Sequence, residues 1–87
     1  MRLDRYLYCI RLVKSRSLAQ ALIAGGRVRV NGKRIEKPSE TVNVGSVVAF
    51  PLHDITHVLR VTAIPARRGP APEARACYEE LDEKAGN

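Results

Sequence analysis

The sequence predicts one α+β domain: two N-terminal helices packed on a small, twisted, mostly antiparallel sheet of four or five strands, with a C-terminal tail or short helix. Three observations predict it. Apolar residues recur at helical spacing from the first residues onward. A glycine pair then ends that period, and alternating Val-rich runs broken by turn residues continue to about residue 64.

The first helix is expected over residues 3–13, where Leu3, Tyr6, Leu7, Ile10 and Val13 form one apolar stripe and Arg5, Tyr8 and Leu12 fall on the other side. Asp4 lies in the first turn, where a negative charge suits the helix dipole. A second helix starts near Lys14-Ser15-Arg16-Ser17, with Ser15 as N-cap and Ser17 with Gln20 as a competing capping box. Ala19, Leu22 and Ile23 would face inward, leaving Arg16 and Gln20 outward and one turn apart. Gly25-Gly26 ends this helix, because glycine takes the left-handed conformation without penalty.

The next run, Arg27 to Ile35, alternates Val28 and Val30 on one face with Arg27 and Arg29 on the other. Asn31-Gly32 is the favoured pair for a two-residue hairpin turn. Pro38 breaks the run, and Val42 and Val44 lead to a turn at Gly45-Ser46. Two more strands are expected over 47–52 and 55–64, joined at His53-Asp54, with Pro51 marking an edge or an irregularity. From Pro65 the composition changes to a linker rich in Pro, Ala and Arg. A last helix is expected over 72–84, with Pro72 in its first turn and Ala74, Cys77, Tyr78 and Leu81 at helical spacing. The division is thus a domain over 1–66, then a linker and acidic tail over 67–87.

Charge is unevenly placed. The net charge is +6, yet residues 1–37 carry +8, residues 38–72 carry +1 and residues 73–87 carry −3. Charge concentrated in one segment points to a polyanionic partner. Arg outnumbers Lys eleven to four, and the planar guanidinium fork suits phosphate better than an ammonium does.

Other function classes find little support. No apolar run approaches the ~20 residues of a membrane span, and the charged opening Met1-Arg2-Leu3-Asp4-Arg5 lacks a signal-peptide core, so a cytoplasmic location is expected. Cys9 and Cys77 have no ligand spacing between them, and pairing them with His53 and His57 matches no zinc pattern. They are expected to be free thiols, and neither metal nor cofactor is expected. No Gly-rich phosphate loop, His-Glu-x-x-His or nucleophile with an evident base is present, so no catalytic residue is assigned.

The joint pattern of basic helix, Ser-Arg turn, second helix, Gly-Gly and Arg-Val-Arg-Val-Asn-Gly hairpin resembles the S-four RNA-binding domain family, named after ribosomal small-subunit protein four and built around the αL motif. The matching residues are Arg2-Leu3-Asp4, Leu7, Ser15-Arg16, Ala19, Ile23, Gly26, Val28, Val30, Asn31 and Gly32. Arg67-Arg68, Pro72, Glu73-Ala74 and Tyr78-Glu79-Glu80, with the Arg-Leu-Asp-Arg-Tyr-Leu-Tyr opening, are similar to the ribosome-associated heat shock protein 15 family. The resemblance implies binding to structured ribosomal RNA of the large subunit. It also implies a stress-response role in handling blocked subunits that still carry a nascent chain.

RNA duplexes present a phosphate lattice and a major groove too narrow for side chains, so such proteins recognise shape and backbone. The residues expected to contact RNA are Arg5, Arg11, Lys14, Ser15, Arg16 and Gln20 of the helices, with Arg27, Arg29, Lys33 and Arg34 of the hairpin. Ser15 reads as a helix cap before a phosphate ligand, although a cap at a helix N-terminus also sits where anions bind. Asp4 reads as a structural carboxylate that orients an Arg, and Arg2 as its partner or a frayed end. Tyr8 is either half-buried or a stacking surface for an unpaired base. The expected unit is a monomer without membrane association and without DNA as main target. Three alternatives stay open. They are an RNA-gripping appendage of an RNA-modifying enzyme such as a pseudouridine synthase, a protein-interaction module docking through the acidic tail, and a basic membrane-surface binder.

Overall fold

The computed structural model of the chain describes residues 1–52 and 54–81. His53 of the expected strand-joining turn and residues 82–84 of the expected last helix lie outside the described residues.

Helix α1 spans Leu3–Cys9 and helix α2 spans Arg16–Ala24. Leu3, Tyr6, Leu7, Ile10 and Val13 are buried as their spacing requires, and Ala19 and Ile23 meet them from α2. No side chain caps α1. Its first amides are instead satisfied by the chain that follows the hairpin, Leu3 donating to the Glu40 carbonyl at 2.7 Å and Asp4 to that of Pro38 at 3.2 Å. The Ser15 hydroxyl accepts from the Leu18 amide at 3.1 Å, so Ser15 is the N-cap of α2.

α1 is shorter than the 3–13 expected. It stops because Arg11 adopts φ 66°, in the left-handed region, and the turn closes with Arg11 N–H on the Tyr8 carbonyl and Leu12 N–H on the Leu7 carbonyl. This pair of bonds is the Schellman arrangement, which satisfies the last carbonyls but fixes the helix end. α2 ends in the same way at Gly26, φ 73°, with Gly26 N–H on Ile23 and Arg27 N–H on Leu22. Gly26 is also pressed close to the side chains of Arg34 and Glu36, so a Cβ there would meet both strain and crowding.

Five strands follow: β1 Val28–Val30, β2 Lys33–Ile35, β3 Val47–Leu52, β4 Ile55–Val61 and β5 Tyr78–Leu81. Their order in the sheet is β2-β1-β3-β4-β5, with every neighbour antiparallel. Asn31 and Gly32, at φ 53° and 82°, make the tight turn expected of them. Asn31 does more: its amide donates to the Val47 carbonyl and its side-chain oxygen accepts from the Val47 amide, tying the turn to β3. Pro51 is tolerated because β1 pairs with β3 only at Val48 and Ala49, which leaves the proline end of β3 locally an edge.

Val28, Val30, Ile35, Val48, Phe50, Leu59 and Val61 line the sheet face that packs on the helices. Alternation sends Arg29 and Arg34, directly opposite one another in the hairpin, to the other face.

The helix expected over 72–84 is cut short. Ala71–Arg75 make a five-residue helix, α3, and Tyr78–Leu81 become the edge strand β5, paired with β4 from Val61↔Tyr78 to Val58↔Leu81. Tertiary pairing overrides the helical spacing. Pairing with β4 satisfies backbone groups along a long strand edge, and the Arg60–Glu79 and His57–Glu80 contacts, at 3.0 and 3.1 Å, take the acidic side chains. Residues 65–77 thus run back across α1, where the Tyr6 hydroxyl donates to the Cys77 carbonyl at 2.9 Å.

Candidate nucleic-acid interface

Asp4 organises the first basic cluster. Its carboxylate has no exposed surface, yet it accepts from Arg2 Nε and Nη2 at 3.1 Å each and from Arg16 Nε and Nη2 at 3.3 and 3.5 Å. Gln20 Nε2 adds a bond at 2.9 Å and the Arg5 amide one at 2.7 Å. Burial alone would push the Asp4 carboxyl up. The bonds from Gln20, Arg2, Arg16 and the Arg5 amide outweigh it and hold the group below the usual carboxylate range, so it is ionised at neutral pH.

One carboxylate therefore pins two guanidiniums, whose side chains stay 49% and 42% exposed. The cluster keeps a net positive charge on a held platform. Gln20 is drawn into this cluster rather than left as an independent contact. Arg2, which the sequence left between pairing and fraying, belongs to it.

The other helix-side cations are placed differently. Arg5 Nη2 donates to the Ala66 carbonyl and Arg11 Nη1 to that of Gly69, both at 3.0 Å, so each also holds the returning segment. Lys14 is exposed between them and α2, and among the described residues it has no carboxylate partner. Ser15 spends its oxygen on the cap. Arg68, which the sequence placed in the linker as part of the Arg67-Arg68 match, lies with its guanidinium carbon 4.6 Å from the Tyr8 ring centroid and donates to the carbonyls of Tyr8 and Val13 at 3.0 and 3.4 Å. Its place against Tyr8 is set by its tertiary neighbours.

Arg27, Arg29, Lys33 and Arg34 are all exposed on the hairpin. Arg29 bends to the Gly32 carbonyl at 3.4 Å, and Arg34 pairs with Glu36 at 3.4 Å. A shallow depression beside Arg27 and Arg29 continues to Ala49, Pro51 and Thr56 on the outer face of the sheet. The candidate residues thus form two basic areas: one on the helices around Asp4 and Lys14, the other on the hairpin, with Arg29 and Arg34 on the far face of the sheet.

Cys9 and Cys77 are free and buried, and burial pushes the Cys77 thiol up, away from reactivity. Among the described residues, no cluster of three or more His, Cys, Asp or Glu residues is placed to hold a metal ion. His57 stacks on Phe50 at 5.5 Å, a packing role. No described helix is long and apolar enough to cross a membrane.

Comparison with known proteins gives consistent matches. The S4 domain model matches residues 1–48. Heat shock protein 15 of Escherichia coli strain K12 is 39% identical over 83 residues, which cover 95% of this chain and 62% of that protein. The trimeric structure of heat shock protein 15 from Vibrio cholerae superimposes with a TM-score of 0.89 at 35% identity, over 95% of this chain and 83% of the other. Small ribosomal subunit protein uS4 of Listeria welshimeri is 40% identical over 48 residues, 55% of this chain and 24% of that protein. The chain therefore spans a little under two thirds of the Escherichia coli relative.

Proposed function

The chain belongs to the S4 domain family and is homologous to the heat shock protein 15 proteins, and from that premise we propose that it is a non-catalytic binder of structured RNA. The observation that carries the reading is the Asp4-centred cluster: two half-exposed guanidiniums held in place by a buried carboxylate, beside the exposed Lys14. Guanidiniums held in advance lose little freedom on meeting a phosphate, and they recognise backbone spacing rather than bases. The hairpin cations Arg27, Arg29, Lys33 and Arg34 extend the same chemistry to a second stretch of backbone.

In the finer reading the RNA is ribosomal and belongs to the large subunit, and the protein acts on blocked subunits that carry a nascent chain. The homology to heat shock protein 15 and to a ribosomal protein supports a ribosomal target. A single chain is the binding unit in this reading, although the Vibrio cholerae relative is trimeric. Sedimentation of the free protein distinguishes the two states.

Replacing Lys14 and Arg16 together by Ala is expected to weaken binding to a structured ribosomal RNA fragment by about tenfold or more at ~100 mM salt, with the fold retained. Unchanged affinity removes the helices as the site. Crosslinking in cells followed by sequencing of the bound RNA tests the target, and enrichment of messenger RNA without ribosomal RNA counts against the ribosome.

A further inference from the structure

A groove of about 530 Å³ opens between the turn joining the two helices and the end of β3. Leu18, Leu22 and Leu52 form its apolar wall, and Arg11, Lys14 and Arg68 stand at its edge. Leu18 is 50% exposed there, an unusual position for a large apolar side chain beside three cations. Contact with an RNA backbone leaves this groove unused, because phosphates have no reason to enter an apolar wall.

We infer that the groove receives one unstacked nucleotide of the bound RNA, its base lying against the Arg68 guanidinium and the leucines while its phosphate meets Lys14. The inference rests on the RNA reading above and names a second element of recognition within the same site. Arg68 supplies the main argument. Its Nε and Nη2 are engaged with the carbonyls of Tyr8 and Val13, and the group is stacked on the Tyr8 ring. Those two bonds and the Tyr8 ring hold the guanidinium in place, so Arg68 presents the groove with a fixed, planar, cationic group. Such a group suits a nucleobase, which stacks on guanidinium planes as on aromatic rings.

An acidic peptide would need free guanidinium forks for its carboxylates. Here the Nε/Nη2 edge of Arg68, one of the two edges a carboxylate could pair with, is taken by the Tyr8 and Val13 carbonyls. Position favours RNA too. Arg11 and Lys14 border the groove and adjoin Ser15 and Arg16, so a strand followed along the helix-side cations passes over the opening. The volume lies within the usual range of small-ligand sites, about 300–1,000 Å³, and leaves room for a base with its ribose.

The test compares two RNA hairpins that differ only by one bulged 2-aminopurine nucleotide. The wild-type protein is expected to bind the bulged hairpin about tenfold more tightly, roughly the effect of one stacked base, and to change the fluorescence of the 2-aminopurine. Arg68→Lys keeps the charge but loses the plane, and Leu18→Ser shortens the wall at a half-exposed position; both are expected to lose the preference. Circular dichroism checks their folding, and L18S carries the test should R68K not fold. Equal affinity for the two hairpins overturns the inference while leaving backbone binding intact, as does a preference that survives in a folded variant. Failure to bind either hairpin or a ribosomal RNA fragment overturns the RNA reading and the inference with it. Self-association abolished by L18S, or displacement of the bulged hairpin by an acidic, Leu-rich helical peptide without a bulge preference, assigns the groove to a protein partner instead.

Discussion

Asp4 carries more of the candidate site than any basic residue around it. A buried carboxylate is tolerated only when its charge is compensated and its lone pairs are satisfied, and here Arg2, Arg16, Gln20 and the Arg5 amide do both. Its pKa is lowered in the folded state, so its contribution to stability is present above the unfolded value near 3.8 and is lost as pH falls through the lower folded value. Urea unfolding is therefore expected to show stability falling below about pH 4 in the wild type. In Asp4→Asn that acid-side slope should be shallower, with stability at pH 7 lower by about 1–3 kcal/mol. The same variant separates charge from geometry. Removing an anion from a basic face would by charge alone tighten RNA binding, whereas loss of the held guanidiniums is expected to weaken it in a direct titration. Of this cluster, the sequence made readable the Arg2–Asp4 spacing, the structural character of Asp4 and the shared face of Arg16 and Gln20. The convergence of Gln20 and Arg16 on one oxygen pair depends on how α1 and α2 cross, and local spacing carries no record of that.

At the scale of elements, both helices end by the same pair of hydrogen bonds, but one uses Gly26 and the other uses Arg11 at positive φ. The glycine stop was readable because Gly is the residue that signals it. The arginine stop was not, since the apolar stripe continues through Ile10 and Val13 and both are buried even though the helix has ended. A non-glycine residue held in the left-handed region costs about 1–2 kcal/mol, and the place it occurs is the edge of the groove and the start of the basic turn. The start of α2 gives a cleaner experiment. Ser15→Ala is expected to lower stability by about 1 kcal/mol through loss of the cap. Ser15→Asp should restore that stability yet weaken RNA binding, because it caps the helix while placing a negative charge beside Lys14 and Arg16. Thermal unfolding and RNA titration of the two variants distinguish a cap from a phosphate ligand.

For the whole molecule, many of the cations counted in the sequence are already hydrogen-bonded within the chain. Arg5 and Arg11 hold the returning segment, Arg34 faces Glu36, Arg60 faces Glu79 and Arg67 faces Glu73. These exposed pairs contribute little stability each, but they lower the number of charges free to release counterions. With ~5–6 phosphate contacts, the logarithm of the binding constant is expected to fall against the logarithm of salt concentration with a slope of roughly −4 to −5. A slope near −8, as if every cation of residues 1–37 made its own phosphate contact, would contradict this placement.

What the sequence determined by itself was the local part of this protein: the apolar stripe of α1, the Gly26 stop, the Asn31-Gly32 turn, the alternation that sends Val28 and Val30 inward, and the concentration of charge in the first 37 residues. Apart from the charge count, each of these depends on neighbours within about four positions along the chain, where propensity and spacing act directly. Only the tertiary structure decided where residues 65–81 go. Their spacing reads as linker and helix, yet β4 offers an unpaired edge, α1 offers the Tyr6 hydroxyl, and Tyr8 offers a ring for Arg68. Those partners lie from 17 residues away along the chain, for Val61 and Tyr78, to 71, for Tyr6 and Cys77. Once they are in place, the backbone bonds of β5 and the docked strap outweigh the weak preference of a short segment to be helical.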